Sequence, residues 1–200
     1  MARTKEQNQK IKDERKEQIV SAALHLFASK GLVETKIADI SKSTGISMGL
    51  IYHYYASKEE LFTELIANSL DRMNEAATGL NDLPLSAKEK IELAITELLK
   101  GFEQNKRAPE YYYLITQAAL SEAVSDETKE MIAEKSKIKD EIMKQIFASG
   151  QQDGTVKEYP VEELNILFWS TITGLALSKS IRQNDFVMPG KDLVKAVFLK

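Results

Sequence analysis

Apolar residues recur along this chain at helical spacing. Ile19, Ala22, Ala23, Leu26 and Phe27 follow the i, i+3, i+4, i+7, i+8 rule of one helix face. Strand-like alternation is scarce, and only four prolines and nine glycines interrupt the helical pattern. Lys30-Gly31 is placed to end the first helix. Thr35 offers a hydroxyl N-cap for a short second helix holding Ile37 and Ile40, which Thr44-Gly45 stops after about two turns. Ser47 caps a third helix running from Met48 toward Tyr55. Ser57 and Glu60 form a capping box for a fourth, which carries Leu61, Phe62, Leu65, Ile66 and Leu70 on one side.

Gly79 to Pro84 then reads as a polar turn. Ser86 caps a helix with Ile91, Ile95, Leu98, Leu99 and Phe102, and Pro109 suits the first turn of a helix through Tyr111 to Leu120. A long helix is expected from about Asp126 to Ser149, a turn at Gly150 to Gly154, and a helix apolar nearly all round from Val161 to Ile181. A short helix, Lys191 to Leu199, closes the pattern. The expected fold is all-α. Residues 1–56 form a three-helix unit with a helix-turn-helix, residues 1–13 of it a flexible arm, and residues 57–200 form a helical bundle.

Composition narrows the chemistry. With no cysteine among 200 residues, disulfides, thiolate metal sites and cysteine nucleophiles are excluded together. No run of ~18 apolar residues predicts a membrane span, and the polar N-terminus lacks the apolar core of a signal peptide, so a cytoplasmic location is expected. The net charge of −3 is unevenly spread. Residues 1–56 hold 9 Lys+Arg against 6 Asp+Glu, a net +3, and the remainder holds 18 against 24, a net −6. Chance can produce such a split. A basic head on an acidic body can nevertheless hold phosphates, since screening acts over ~8 Å.

The informative stretch is Thr35 to Leu61, TKIADISKSTGISMGLIYHYYASKEEL. It reads as two short helices joined by a tight turn at Thr44-Gly45-Ile46. Ile37, Ile40, Ile46, Ile51 and Tyr55 can face inward. That leaves Ser47, Met48, Gly49, Leu50, Tyr52, His53 and Tyr54 for an outer face suited to a DNA major groove. Hydroxyls and helix N-terminal amides are natural phosphate donors, and Lys58 is placed to neutralise a phosphate. Lys36 and Lys42 could add charge against the backbone, as could Arg3, Lys5, Lys10 and Lys12 of the arm.

This segment resembles the tetracycline-repressor (TetR) family of bacterial transcription regulators. Thr35, Ile40, Gly45, Ile46, Ser47, Gly49, Ile51, Tyr52, Tyr54, Lys58 and Leu61 fall at matching positions, within a resemblance covering about residues 14–62. The resemblance implies a homodimer on a palindromic double-stranded operator. Thr35 would cap its helix and touch phosphate. Ser47, Tyr52 and Lys58 would hold the backbone, and Met48, Gly49, Leu50 and His53 would lie nearest the bases. Met48 stands where many relatives carry a basic residue, Leu50 where they carry threonine or serine, and Tyr55 where phenylalanine is usual. Met48 and Leu50 cannot donate hydrogen bonds but can meet a thymine methyl.

The resemblance also implies a small-molecule effector in the second domain. Phe102, Tyr112, Tyr113, Gln117, Met143 and Trp169 are candidate lining residues, suited to a lipophilic or aromatic ligand. Ile138, Ile142, Phe168, Ile172, Gly174 and Leu175, on the last two long helices, are candidates for the dimer interface. No metal, cofactor or enzymatic activity is expected. His25 and His53 are the only histidines, and neither has a nucleophile partner. His25 falls beside the apolar stripe of its helix and reads as structural. The expected function is a DNA-binding regulator, a repressor that a small molecule releases. The alternative is a helical ligand- or protein-binding module without specific DNA recognition.

Overall fold

The computed structural model describes residues 5–105 and 107–200, and the described residues form nine α-helices and no β-strand. α1 (Lys5–Glu34) is broken at Gly31, whose φ of 79° departs from helical geometry. Residues 5–13, expected as a flexible arm, are instead its opening turns. Arg3 and the side chain of Lys5 lie outside the described residues.

α2 (Ile37–Thr44) and α3 (Met48–Tyr54) follow at the expected positions. Gly45 between them sits at φ 71° and ψ 5°, and its amide donates to the Ser41 carbonyl at 2.9 Å. A side chain there would strain the left-handed backbone. Thr44 tightens the turn: its hydroxyl donates to the Ile40 carbonyl at 2.8 Å and accepts the Ile46 amide at 3.2 Å.

α4 (Lys58–Asp82) passes straight through Gly79, so the expected turn there begins only after Asp82. A mid-helix glycine costs ~1 kcal/mol, yet the helix continues, with Ala77 buried before it and Leu80 packed against the second cluster after it. α5 (Ala87–Gln104), α6 (Ala108–Leu120) and α7 (Asp126–Gln152) come next. α7 overruns the expected end at Ser149. Gly150 is inside the helix, and a Cβ on it would stand 2.4 Å from Val156 Cγ2. That glycine serves close approach rather than a turn. α8 (Val161–Arg182) and α9 (Lys191–Phe198) complete the fold, with Val156 and Leu199 paired in an isolated bridge.

Among the described residues, two buried clusters hold the molecule. The first joins Phe27, Ile40, Ile51, Tyr55 and Leu61 to Leu114, Ala118 and Ile132, so α6 and α7 reach into the packing of the N-terminal helices. The second gathers Ile91, Phe102, Phe147, Phe168, Ile172 and Phe198. α4 runs from one cluster to the other.

Candidate nucleic-acid interface and effector cavity

The α2–α3 pair owes its shape to a division between buried and exposed positions. Ile37, Ile40, Ile46, Ile51 and Tyr55 are all buried, as the spacing predicts. Ser47 caps α3, accepting the Leu50 amide at 3.3 Å. Ser47, Met48, Gly49, Tyr52 and His53 are exposed along one side of the helix. Two residues of the expected outer face sit differently. Leu50 is half-buried against the first cluster. Tyr54 is half-buried too, and its hydroxyl donates to the Lys12 carbonyl of α1 at 3.4 Å.

Thr35 is corrected most sharply. It is fully buried, and its hydroxyl donates to the carbonyls of Gly31 at 2.7 Å and Leu26 at 3.2 Å. It therefore neither caps α2 nor presents a hydroxyl to a phosphate. Lys36, which is exposed, holds the N-cap position of α2, and its amide donates to the Asp39 carboxylate at 3.2 Å.

Lys58 opens α4. Its ammonium group donates to the carbonyls of Leu32 at 2.8 Å, Val33 at 3.0 Å and Thr35 at 3.1 Å. An ammonium has three donors, so all are committed to the turn between α1 and α2. Ser57 beside it accepts the Glu60 amide at 3.0 Å, but the Glu60 carboxylate accepts the amide of Ala56 rather than that of Ser57, so the expected capping box is only half formed.

A cavity of about 1450 Å³ opens between α1, which lines it with Asp13, Lys16, Glu17, Val20 and Ser21, and the helices of the other half. Four expected lining residues, Phe102, Tyr112, Met143 and Trp169, face it together with Leu80, Leu98 and Phe168. Tyr113 and Gln117 do not line it. They lie one turn apart on α6 and bond to each other, so both are removed from the set. Burial raises the Tyr112 phenol above its ordinary pKa. Lys139 stands 4.0 Å from the centre of the Trp169 ring, a cation–π contact that braces the wall.

Phe168 (1% exposed) and Ile172 (fully buried) belong to the protomer's own core, which corrects their assignment to a dimer face. α8 is apolar on both sides. Leu164, Phe168, Ile172 and Ala176 point inward, while Ile166 (65% exposed), Leu167 (45%), Gly174 and Ile181 (69%) point out. Ile138 is exposed on α7, and Ile142 and Leu175 are half-buried against the second cluster.

Like the Lys58 ties, a further contact has no local signal in the sequence. His25 Nδ1 of α1 lies 2.9 Å from the Glu110 carboxylate of α6, across 85 positions. The structural role expected for His25 is thus a tie between α1 and a cavity-lining helix.

The family model for bacterial regulatory proteins of the tetR family matches residues 19–65. The chain is 30% identical over 148 residues to the fatty acid metabolism regulator protein of Bacillus subtilis, covering 70% of each. It is 32% identical over 77 residues to the HTH-type transcriptional repressor KstR2 of Mycolicibacterium smegmatis, and the match spans only 38% of that relative's length. Among solved structures it is similar to the transcriptional regulator FadR from Bacillus subtilis in complex with stearoyl-CoA. The TM-score is 0.68 at 23% identity, covering 90% of this chain and 94% of that one.

Proposed function

Since this chain belongs to the tetR family of bacterial regulatory proteins, we propose that it is a DNA-binding transcriptional regulator, a repressor that a small lipophilic effector releases from a palindromic operator. The observation that carries this reading is the two-sided α3. Ile51 is locked into the core while Ser47, Met48, Gly49, Tyr52 and His53 stand out on a helix narrow enough for a major groove ~12 Å wide. In this reading Ser47, Tyr52 and Lys36 hold the phosphate backbone. Met48, Gly49 and His53 meet the base edges, with apolar contact to thymine methyls at Met48.

A second copy docks through the outer stripe of α8, Ile166, Leu167, Gly174 and Ile181, with Ile138 of α7. Two reading helices then address half-sites ~34–36 Å apart. The cavity joins an apolar wall (Leu80, Leu98, Phe102, Phe168) to charged residues such as Lys16, Arg72 and Arg107, a lining suited to an amphipathic ligand. With the relatives' names, a fatty acid regulator and a stearoyl-CoA complex, this favours an acyl-bearing effector. An effector lowers operator affinity only if it binds better to the conformation with the wrong half-site spacing. None of the described helices is long and apolar enough to cross a membrane.

The test is selection of duplexes from a random pool, followed by titration of the recovered duplex with and without stearoyl-CoA. The expected outcome is an enriched palindrome, weakened ~10-fold or more by Tyr52→Ala and released by the acyl thioester. Recovery of no enriched duplex would overturn the regulator reading.

A further inference from the structure

Lys58 heads the same helix that lines the cavity. Its ammonium is spent on the carbonyls of Leu32, Val33 and Thr35, the segment that leads into α2. The other end of that segment is held by the buried Thr35 hydroxyl on Gly31 and Leu26. The turn therefore has two polar ties, one from within and one from α4. Farther along α4, Asn68, Arg72, Met73 and Leu80 line the cavity.

We propose that Lys58 is a positioning residue: it clamps the α1–α2 turn to the start of α4, sets the angle at which α2 and α3 are presented, and transmits displacement of α4 to them. It makes no phosphate contact. Chain-end carbonyls after a helix break are acceptors without helical partners, and a tetrahedral ammonium can serve three that converge from different directions. A planar guanidinium cannot reproduce that convergence. A shift of α4 at the cavity therefore pulls on three acceptors of one turn, or releases them.

This inference rests on the regulator reading above, and its test separates the two. Lys58→Met removes every donor, and Lys58→Arg keeps the charge but not the geometry. A phosphate contact from each protomer of a dimer contributes ~2 to the slope of log affinity against log salt. The clamp predicts that both variants bind the selected duplex ~10-fold more weakly at every salt concentration with the slope unchanged. It also predicts that stearoyl-CoA shifts their affinity less than it shifts that of the full-length wild-type chain. A purely stabilising lysine would lower the melting temperature and leave the affinity of the folded protein unchanged, which would overturn the proposal. So would a Lys58→Arg variant that binds like wild type beside a Lys58→Met variant with a slope shallower by ~2.

Hydrogen exchange needs no DNA. The clamp predicts faster exchange of the amides from Lys36 to Ile40 in free Lys58→Arg, which retains its charge and folds even if Lys58→Met does not. Unchanged exchange overturns the clamp. Should the wild-type chain select no duplex, the regulator reading fails, while the exchange measurement still decides the clamp.

Discussion

The N-terminal head and the cavity-bearing half are secured by different physics. In the head, polar groups at each turn have assigned partners: Ser47 on the Leu50 amide, Thr44 on two backbone groups, Thr35 and Lys58 on the carbonyls after Gly31. Such directional bonds define orientation, as a reading helix requires. In the other half, Phe102, Phe147, Phe168 and Phe198 pack beside a cavity of about 1450 Å³ whose far wall is α1. Apolar packing is non-directional and tolerates an opening that a ligand can fill. One half is specific in angle and the other permissive in content.

The strongest challenge to that contrast is Phe168→Ala. If the cavity wall were merely a lining, truncation would leave stability intact and enlarge the site. Phe168 is 1% exposed and touches Phe147, Trp169 and Phe198 edge to face or steeply inclined. Losing a buried phenyl costs about 3–5 kcal/mol, so urea unfolding should show a loss in that range. A loss below about 1 kcal/mol would mean that the wall yields to an opening already present, and that α8 contributes less to the fold than its inner stripe indicates.

The head has one exception to its polar discipline, and it predicts a smaller effect of opposite sign. Tyr55 is 1% exposed, and its hydroxyl has no hydrogen-bond partner among the described residues. Burial, with Glu64 and Glu60 nearby, raises its pKa. Removing an unpaired buried hydroxyl while keeping the ring is neutral to stabilising. Tyr55→Phe is expected to raise stability by up to about 1 kcal/mol, read as a higher melting temperature. A lower one would reveal a partner for the hydroxyl and extend the polar discipline to the whole head.

The same contrast explains what was legible in the sequence. Caps at Ser47, Ser57 and Ser86 and the left-handed Gly45 are local devices, written within four residues, and all stand where the pattern put them. The inward set Ile37, Ile40, Ile46, Ile51 and Tyr55 follows from periodicity in a helix pair too short to face more than one core. α8 defeats periodicity because it is apolar on both sides, so Phe168 and Ile172 could not be told from Ile166 and Leu167. Tyr113 and Gln117 failed for a related reason: residue type suits a pocket, but helix rotation decides which wall it joins. Thr35 misled because a threonine before a helix signals a cap, whereas here the broken end of α1 supplies nearer acceptors. The ties from Lys58 and from His25 span 23 to 26 and 85 positions and leave no local trace.

The smallest effect concerns the cap of a cavity helix, where the permissive half borrows the head's device. Ser86 donates both its amide and its hydroxyl to the Glu89 carboxylate, at 2.8 and 2.7 Å, and accepts the Glu89 amide. The Ser86 hydroxyl, more than its amide, lowers the Glu89 pKa below its ordinary 4.5. A carboxylate with a depressed folded-state pKa contributes stability that is complete above the unfolded value and is lost as pH falls through the folded one. Glu89→Gln keeps the reciprocal cap, since glutamine also serves in a capping box, but cannot titrate. The variant should therefore match the parent closely at neutral pH and lose less stability below about pH 4.5, in melts recorded across that range. If its acid profile superimposes on the parent's, Glu89 titrates alike folded and unfolded, and the cap orients the first turn of α5 without adding acid-sensitive stability.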